Sequence, residues 1–466
     1  MRLRFAVIDV EVITVQPYQT MPLEISMSEA TTTRRRVLQA IPLLAGGLIA
    51  RPLMARPVAA PSFPKGFMWG AATAGHQIEG NNINSDYWVL ENLKPTMFPQ
   101  RSGDACDSYH RYDDDIALLQ SIGLNSYRFS VEWARIEPVQ GFFSIAEIDY
   151  YKRVIEACRR RNIRPAVTFH HNVSPRWFAA LGGWTSTEAP KLFGNYCDHV
   201  ARALAGDIDI AFTINEPNVN EVVDWMPGGG KASRGRAAFA SMSIAAAKAV
   251  GSDKFSALLF APSASVTPQL LEAHHQAFAA IKAVRGDLPV GAALSVFDYQ
   301  AVGPDSKFET ARNEVLGAWI QASKKSGDFV GVQNYGRVMV DGNGPVSPTK
   351  PGPYPFEQYA PSLGNTVRLM HEATGKPIIV SENGIDTEDD SVRIQFIDAA
   401  LTGLQRAMTD GVPVLGYFHW SLIDNFEWLQ GFKPKFGLAS VDLTTFKRTP
   451  KPSAFHLGSI AKNNRL

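Results

Sequence analysis

Short apolar runs rich in β-branched residues alternate along this chain with longer stretches in which apolar positions recur every three to four residues. From Phe63 onward the short runs predict strands over 67–73, 126–133, 164–171, 209–215, 290–297, 329–335, 377–382 and 414–420. The longer stretches predict helices over 145–161, 188–205, 268–284, 310–325, 363–373, 392–409 and 453–462. Ser144 with Glu147, and Thr185 with Glu188, have the spacing of capping boxes, and Gly375 and Gly411 stand where helices should stop. Strands that alternate with helices in this way make an α/β fold with a parallel sheet. Periodicity alone leaves two closures open, a single (β/α)8 TIM barrel and an open doubly wound sheet. The barrel is favoured by where the unusual residues fall. Arg128, His171, Asn215, Glu216, Tyr335, Glu382 and Trp420 lie in or at the C-terminal ends of six different predicted strands, the face on which barrel enzymes gather their chemistry. The Pro-rich piece 344–355 reads as a long loop at the site entrance.

The first sixty residues break the pattern. Thr33-Arg34-Arg35-Arg36-Val37-Leu38-Gln39 precedes an apolar stretch from Ala40 to Ala50, the arrangement of a twin-arginine export signal. Pro42 lies inside the stretch and Arg51 ends it, so a signal core is expected rather than a membrane span. Ala59-Ala60 and Ala55 offer cleavage positions, and Met27 would make a more ordinary start than Met1. The expected organisation is therefore a leader over 1–60 and one barrel over 61–466, exported to the periplasm or beyond through the twin-arginine machinery.

Composition narrows the function classes. Over 466 residues, 45% are hydrophobic and 20% charged, the balance of a globular domain. The 46 basic and 45 acidic residues leave a formal charge of +1, which gives no basis for binding nucleic acid. Cys106, Cys158 and Cys197 cannot all pair, and their spacing fits no zinc motif. Cys158 and Cys197 fall in helical patterns, where a thiol acts as a small buried hydrophobe. His170 and His171 are adjacent on a strand and face opposite sides, so they do not form a chelating pair.

Glu216 follows Asn215 at the end of one apolar run, and Glu382 ends another before Asn383-Gly384. A single Glu at a strand end is usually a solvated surface group. Two at equivalent places on two strands, each beside an Asn, point to paired carboxylates at one mouth.

TINEP (213–217) and IVSENG (379–384) resemble the two active-site signatures of glycoside hydrolase family 1, the β-glucosidase family. FMWGAATAGHQIEG (67–80), YRFSVEWARIEP (127–138), DFVGVQNYGR (328–337) and GYFHWSLIDNFEWLQGF (416–432) are similar to further family segments, in the family's order. The resemblance implies a barrel without cofactor or metal that hydrolyses a small-molecule glycoside by double displacement. It makes Glu216 the acid/base, Glu382 the nucleophile, Arg128 the charge that keeps Glu382 ionised, and Tyr335 a hydrogen-bond donor to it. It gives Gln77, His171, Asn215, Glu427 and Trp428 the sugar hydroxyls, Trp420 the stacking floor and Phe436 an aromatic wall. Members that cleave thioglucosides carry Gln at the acid/base position, where this chain has Glu216. Members specific for 6-phosphoglycosides lack the Glu-Trp pair, which is intact here, and the charge of Glu427 is expected to repel phosphate. The chain departs from the family at Asn172, His76, Gln333-Asn334, and Lys433 and Lys435 around Pro434, positions that bear on substrate choice. Two other uses of the same site are a transglycosylase and a catalytically silent exported sugar-binding protein; two intact carboxylates speak against the second.

Overall fold

The structure is a computed structural model that describes residues 62–229, 234–349 and 353–466, within one compact unit, Ala59–Leu466. The expectations for the leader fall outside the described residues.

Eight parallel strands, Met68–Ala72, Ser126–Ser130, Arg164–His170, Ile210–Asn215, Val290–Ser295, Val330–Gln333, Ile378–Asn383 and Val414–Trp420, close into a barrel. Pairing of the first strand with the last, from Met68↔Gly416 to Ala72↔Trp420, removes the open-sheet alternative. Every expected strand forms, with ends displaced by at most three residues. Alternation along the strands separates two apolar layers. Met68, Ala166, Ile210, Phe212, Ile379 and Phe418 fill the barrel, whereas Trp69, Phe129, Val167, Ala211, Val380 and Tyr417 join the core against the outer helices.

The expected helices form as Ile145–Arg160, Ala189–Leu204, Ser263–Val284, Phe308–Lys325, Ser362–Thr374, Asp390–Thr409 and Pro452–Asn463. Ser144 caps the first of them by accepting the Glu147 amide N–H. Thr185 does not cap the second: its hydroxyl turns back onto the Gly182 carbonyl inside a short 3-10 turn, and the helix starts after Glu188. The third starts at Ser263, five residues before the expected Pro268; the Thr267 hydroxyl donates to the Ser263 carbonyl in the turn that the proline follows. Two long helices had no clear pattern. Ser108–Ile122 kinks at Arg111 behind a polar first turn, and Arg234–Val250 is Ala-rich, so small residues blur its apolar face. The expected loop over 344–355 contains a strand, Pro345–Val346, which pairs with Arg337–Val340 beside Asp298–Ala301 in a small second sheet. No described helix is long and apolar enough to cross a membrane. Cys106, Cys158 and Cys197 are all unpaired and buried.

The barrel is also tied at its N-terminal rim. The Phe63 N–H donates to the Asn464 carbonyl at 2.9 Å, and the Trp69 indole N–H donates to Asn464 Oδ1 at 2.9 Å.

Candidate active site

At the C-terminal ends of the strands a cavity of about 320 Å³ is lined by both Glu216 and Glu382. Both strands that deliver these residues lose register just before them. The pairing shifts between Phe212 and Asn215 in one and between Val380 and Asn383 in the other. Such bulges re-aim the side chains that follow. Glu216 itself has φ +42°, and two other pocket residues, Asn172 at +63° and Trp428 at +50°, share the left-handed region. Non-glycine residues hold that conformation only where the surroundings impose it.

Both oxygens of Glu382 are held. Arg128 Nη1 donates to Oε1 at 2.5 Å, Gln333 Nε2 donates to the same oxygen at 2.8 Å, and the Tyr335 hydroxyl donates to Oε2 at 2.5 Å. Asn215 Oδ1 accepts from Arg128 Nη2 at 2.6 Å and from Gln333 Nε2 at 2.7 Å, which ties the strand before Glu216 to the cluster around Glu382. Arg128 is fully buried, with its guanidinium 4.9 Å from the centre of the Phe212 ring inside the barrel. Burial pushes the Glu382 carboxyl above its ordinary range, opposed by the Arg128 charge and by the hydrogen bonds from Tyr335 and Arg128.

Glu216 has a different environment. Burial, then the negative charge of Glu382, pushes its carboxyl up to about 7, with a partial counter-effect from the Ser295 hydroxyl and Arg128. Ser295 is fixed through its backbone: Asn218 Nδ2 donates to its carbonyl at 2.8 Å and Asn218 Oδ1 accepts its N–H at 3.0 Å. Two carboxyl groups that interact and sit in unlike surroundings are the arrangement that separates an acid from a nucleophile.

Nine of the eleven residues singled out in the sequence line the cavity: Glu216, Glu382, Tyr335, His171, Asn215, Trp420, Glu427, Trp428 and Phe436. Arg128 and Gln77 are fully buried and border that lining, Arg128 at Glu382 and Asn215 and Gln77 at Glu427. Gln77 Nε2 donates to Asn425 Oδ1 and to the Phe426 carbonyl, while its Oε1 is buried without a partner. His171 Nδ1 and Asn172 Oδ1 are also buried and unpartnered, an unusual concentration of unmet hydrogen-bonding capacity. His171 lies beside Trp420, ring centres 5.7 Å apart, and burial holds its imidazole well below its ordinary pKa, hence neutral. His170 points away, with Nε2 at 2.9 Å from Ser174 Oγ and its ring edge-on to Trp184. No group of three His, Cys, Asp or Glu that could hold a metal occurs among the described residues.

Burial pushes Glu427 up to about 8, and the Trp420 indole N–H donates to it at 3.1 Å. This changes the expectation about phosphate. Raised in this way, Glu427 carries less charge near neutral pH than an exposed carboxylate, which weakens the expected repulsion of a phosphate. The stronger reason is that no Lys or Arg lines the cavity among the described residues.

The model of glycosyl hydrolase family 1 matches residues 59–294 and 348–466. The chain belongs to glycosyl hydrolase family 1. β-Glucosidase A of Acetivibrio thermocellus is 29% identical over 465 residues, which cover 86% of this chain and 99% of that protein. An apo structure of a β-glucosidase designated 1317 is 44% identical, superposes with a TM-score of 0.81, and covers 85% of this chain and 98% of its own. A Thermotoga maritima β-glucosidase in complex with cyclophellitol is 25% identical with a TM-score of 0.73, over 87% of this chain and 99% of its own. The family match leaves out 295–347, yet that interval carries Gln333 and Tyr335, which bond Glu382 directly.

The sequence reading passed over the far wall of the cavity. Val219, Val222, Val223 and Met226 line it from a short helix, Val219–Asp224, and the turn after it. Their spacing of three, four and seven was the available signal, a helical stripe just after TINEP.

Proposed function

We propose that this chain is a retaining exo-β-glycosidase, a β-glucosidase that releases terminal non-reducing β-D-glucosyl residues from small glycosides. The observation that carries the reading is the asymmetry of the two carboxyls: Glu382 clamped by Arg128, Gln333 and Tyr335, and Glu216 raised to about 7 in the same cavity.

In this mechanism Glu382 attacks the anomeric carbon while Glu216 protonates the departing oxygen. The leaving alcohol departs, Glu216 becomes a carboxylate, and then takes a proton from the water that opens the glycosyl-enzyme ester. Arg128 keeps Glu382 ionised when the sugar displaces water, and Tyr335 orients its Oε2. Gln77, His171, Asn215, Glu427 and Trp428 take up the sugar hydroxyls, Trp420 supports the ring face and Phe436 closes the side. Asn172 joins this set through its unpartnered amide oxygen at the cavity. A glycone that leaves these buried groups unpaired is rejected, because each unmet hydrogen bond is costly in a closed pocket.

The test is hydrolysis of p-nitrophenyl β-D-glucoside, β-D-galactoside and β-D-fucoside, with the anomer of the first-formed sugar read by NMR. Turnover with the β-anomer formed first supports the reading; an inverted product or no turnover of any substrate rejects it.

The leader over 1–60 is proposed as a twin-arginine signal, with the barrel exported, supported by Arg34-Arg35 before the apolar run. Lysine at both positions should hold the protein in the cytoplasmic fraction; unchanged export of that variant rejects the signal.

A further inference from the structure

Part of the cavity lining has a different character from the residues assigned to the sugar. Val219, Val223, Met226, Leu259, Phe297 and Phe356 make up that part. The Phe297 and Phe356 rings pack edge to face with centres 4.7 Å apart, and Phe356 stacks in turn against Tyr354 at 5.2 Å. Among the described lining residues the only Asp, Glu, Lys or Arg side chains are Glu216, Glu382 and Glu427, and all three are assigned to the sugar and its bond. Beyond them, Asn172 and Gln430 are the only side-chain amides besides Asn215, and the Ser295 hydroxyl faces Glu216.

This apolar wall lies on the side where the leaving group departs. Val219 follows Glu216 by one turn, its N–H donating to the Glu216 carbonyl at 3.0 Å. Phe297 lies two residues past the strand Val290–Ser295, and the Glu216 N–H donates to Ala293 of that strand at 2.7 Å. Both segments are therefore fixed to the residue that hands over the proton.

We infer that the leaving group of the natural substrate is an apolar alcohol or phenol, an alkyl or aryl aglycone, and not a second sugar. The inference rests on the β-glucosidase reading and specifies its substrate class. A second hexose would bring several hydroxyls against Val223, Met226, Leu259 and Phe297, where they lose water and gain no partner. A hydrocarbon aglycone removes the same wall from water at no polar cost.

The purified protein is assayed for glucose release from methyl, butyl, hexyl and octyl β-D-glucoside, each below its micellar concentration, with cellobiose and p-nitrophenyl β-D-glucoside alongside. The expected result is a rise in kcat/KM of roughly threefold per added methylene, with cellobiose below butyl glucoside. A flat series, or cellobiose ahead of octyl glucoside, overturns the inference while turnover of p-nitrophenyl β-D-glucoside keeps the β-glucosidase reading standing. No glucose release from any substrate rejects both. In the double variant Val223→Thr, Met226→Gln the slope with chain length should flatten by about half. That slope is a ratio between substrates, so a partly folded preparation does not distort it. An unchanged slope in the variant takes the aglycone off this helix and overturns the assignment.

Discussion

Around Glu382, barrel strands supply every contact: Arg128 from the second, Gln333 from the sixth, Tyr335 just beyond it, and each carboxylate oxygen has a donor. Around Val223 a helix of one and a half turns, a 3-10 turn carrying Leu259 and a segment past residue 352 supply the wall, and its surface offers almost no hydrogen bonds. The groups around Glu382 are preorganised by the barrel; the apolar wall is built on connections, as are Glu427, Trp428 and Phe436 beyond the last strand. The difference separates what such a site does from what it does it to. Groups that stabilise charge must be rigid and fully partnered. Connections between elements vary at little cost to the fold and can take on the shape of one leaving group.

The largest expected effect falls at the rigid end. Glu382→Gly should lower hydrolysis by roughly 10⁴-fold or more on every glucoside, measured as kcat/KM; residual activity within tenfold of the parent would mean that another group attacks. Glu216→Gln comes next and should split the substrates. Alkyl glucosides, whose leaving oxygen needs the proton, should lose on the order of 10²- to 10⁴-fold, while p-nitrophenyl β-D-glucoside keeps much of its glycosylation rate. Equal losses on both would break the division of labour between the carboxyls.

Glu427→Ala should cost about 10²-fold in kcat/KM, the loss of its hydrogen bonds to sugar hydroxyls. That loss should be the same for methyl and octyl glucoside, because Glu427 belongs to the half that holds only the sugar. A loss that depended on the aglycone would blur the boundary drawn here.

The smallest effect is on pH dependence. Burial and the charge of Glu382 raise Glu216 to about 7, so the acid is present below that pH and lost above it. For alkyl glucosides kcat/KM should then fall about tenfold per pH unit above about 7. Glu382 must be ionised to attack and its carboxyl is raised too, so the acid limb should begin above the ordinary carboxylate range. A flat profile between pH 6 and 8 would contradict the raised carboxyl of Glu216.

The sequence announced the two halves unequally. The strands were legible because a barrel strand is apolar on both faces and reads as an unbroken run, as in residues 414–418. Ser144 was legible as a cap from Glu147 three residues on. Thr185 with Glu188 has the same spacing and does not cap, since its chain enters a 3-10 turn first. Ser108–Ile122 and Arg234–Val250 were not legible, since a kink in one and a run of alanines in the other remove the periodic signal. The bulges before Glu216 and Glu382 leave no mark in residue type, because a bulge belongs to the pairing of two strands. Gln77 is held fully buried against Asn425 and Phe426 with its Oε1 left without a partner, and only packing determines that depth. The stripe from Val219 to Met226 was present in the sequence, but at that length a helix facing the core and one facing a cavity read alike.

The knot of hydrogen bonds that joins Phe63 and Trp69 to Asn464 has a practical consequence. The two ends of the barrel meet at the rim opposite the cavity, Phe63 five residues before the first strand and Asn464 directly after the last helix. The fold is thus nearly a closed ring with a removable seam. A short peptide across that seam, with new ends opened in a surface turn such as the one at Gly303, gives a circularly permuted enzyme with the same barrel.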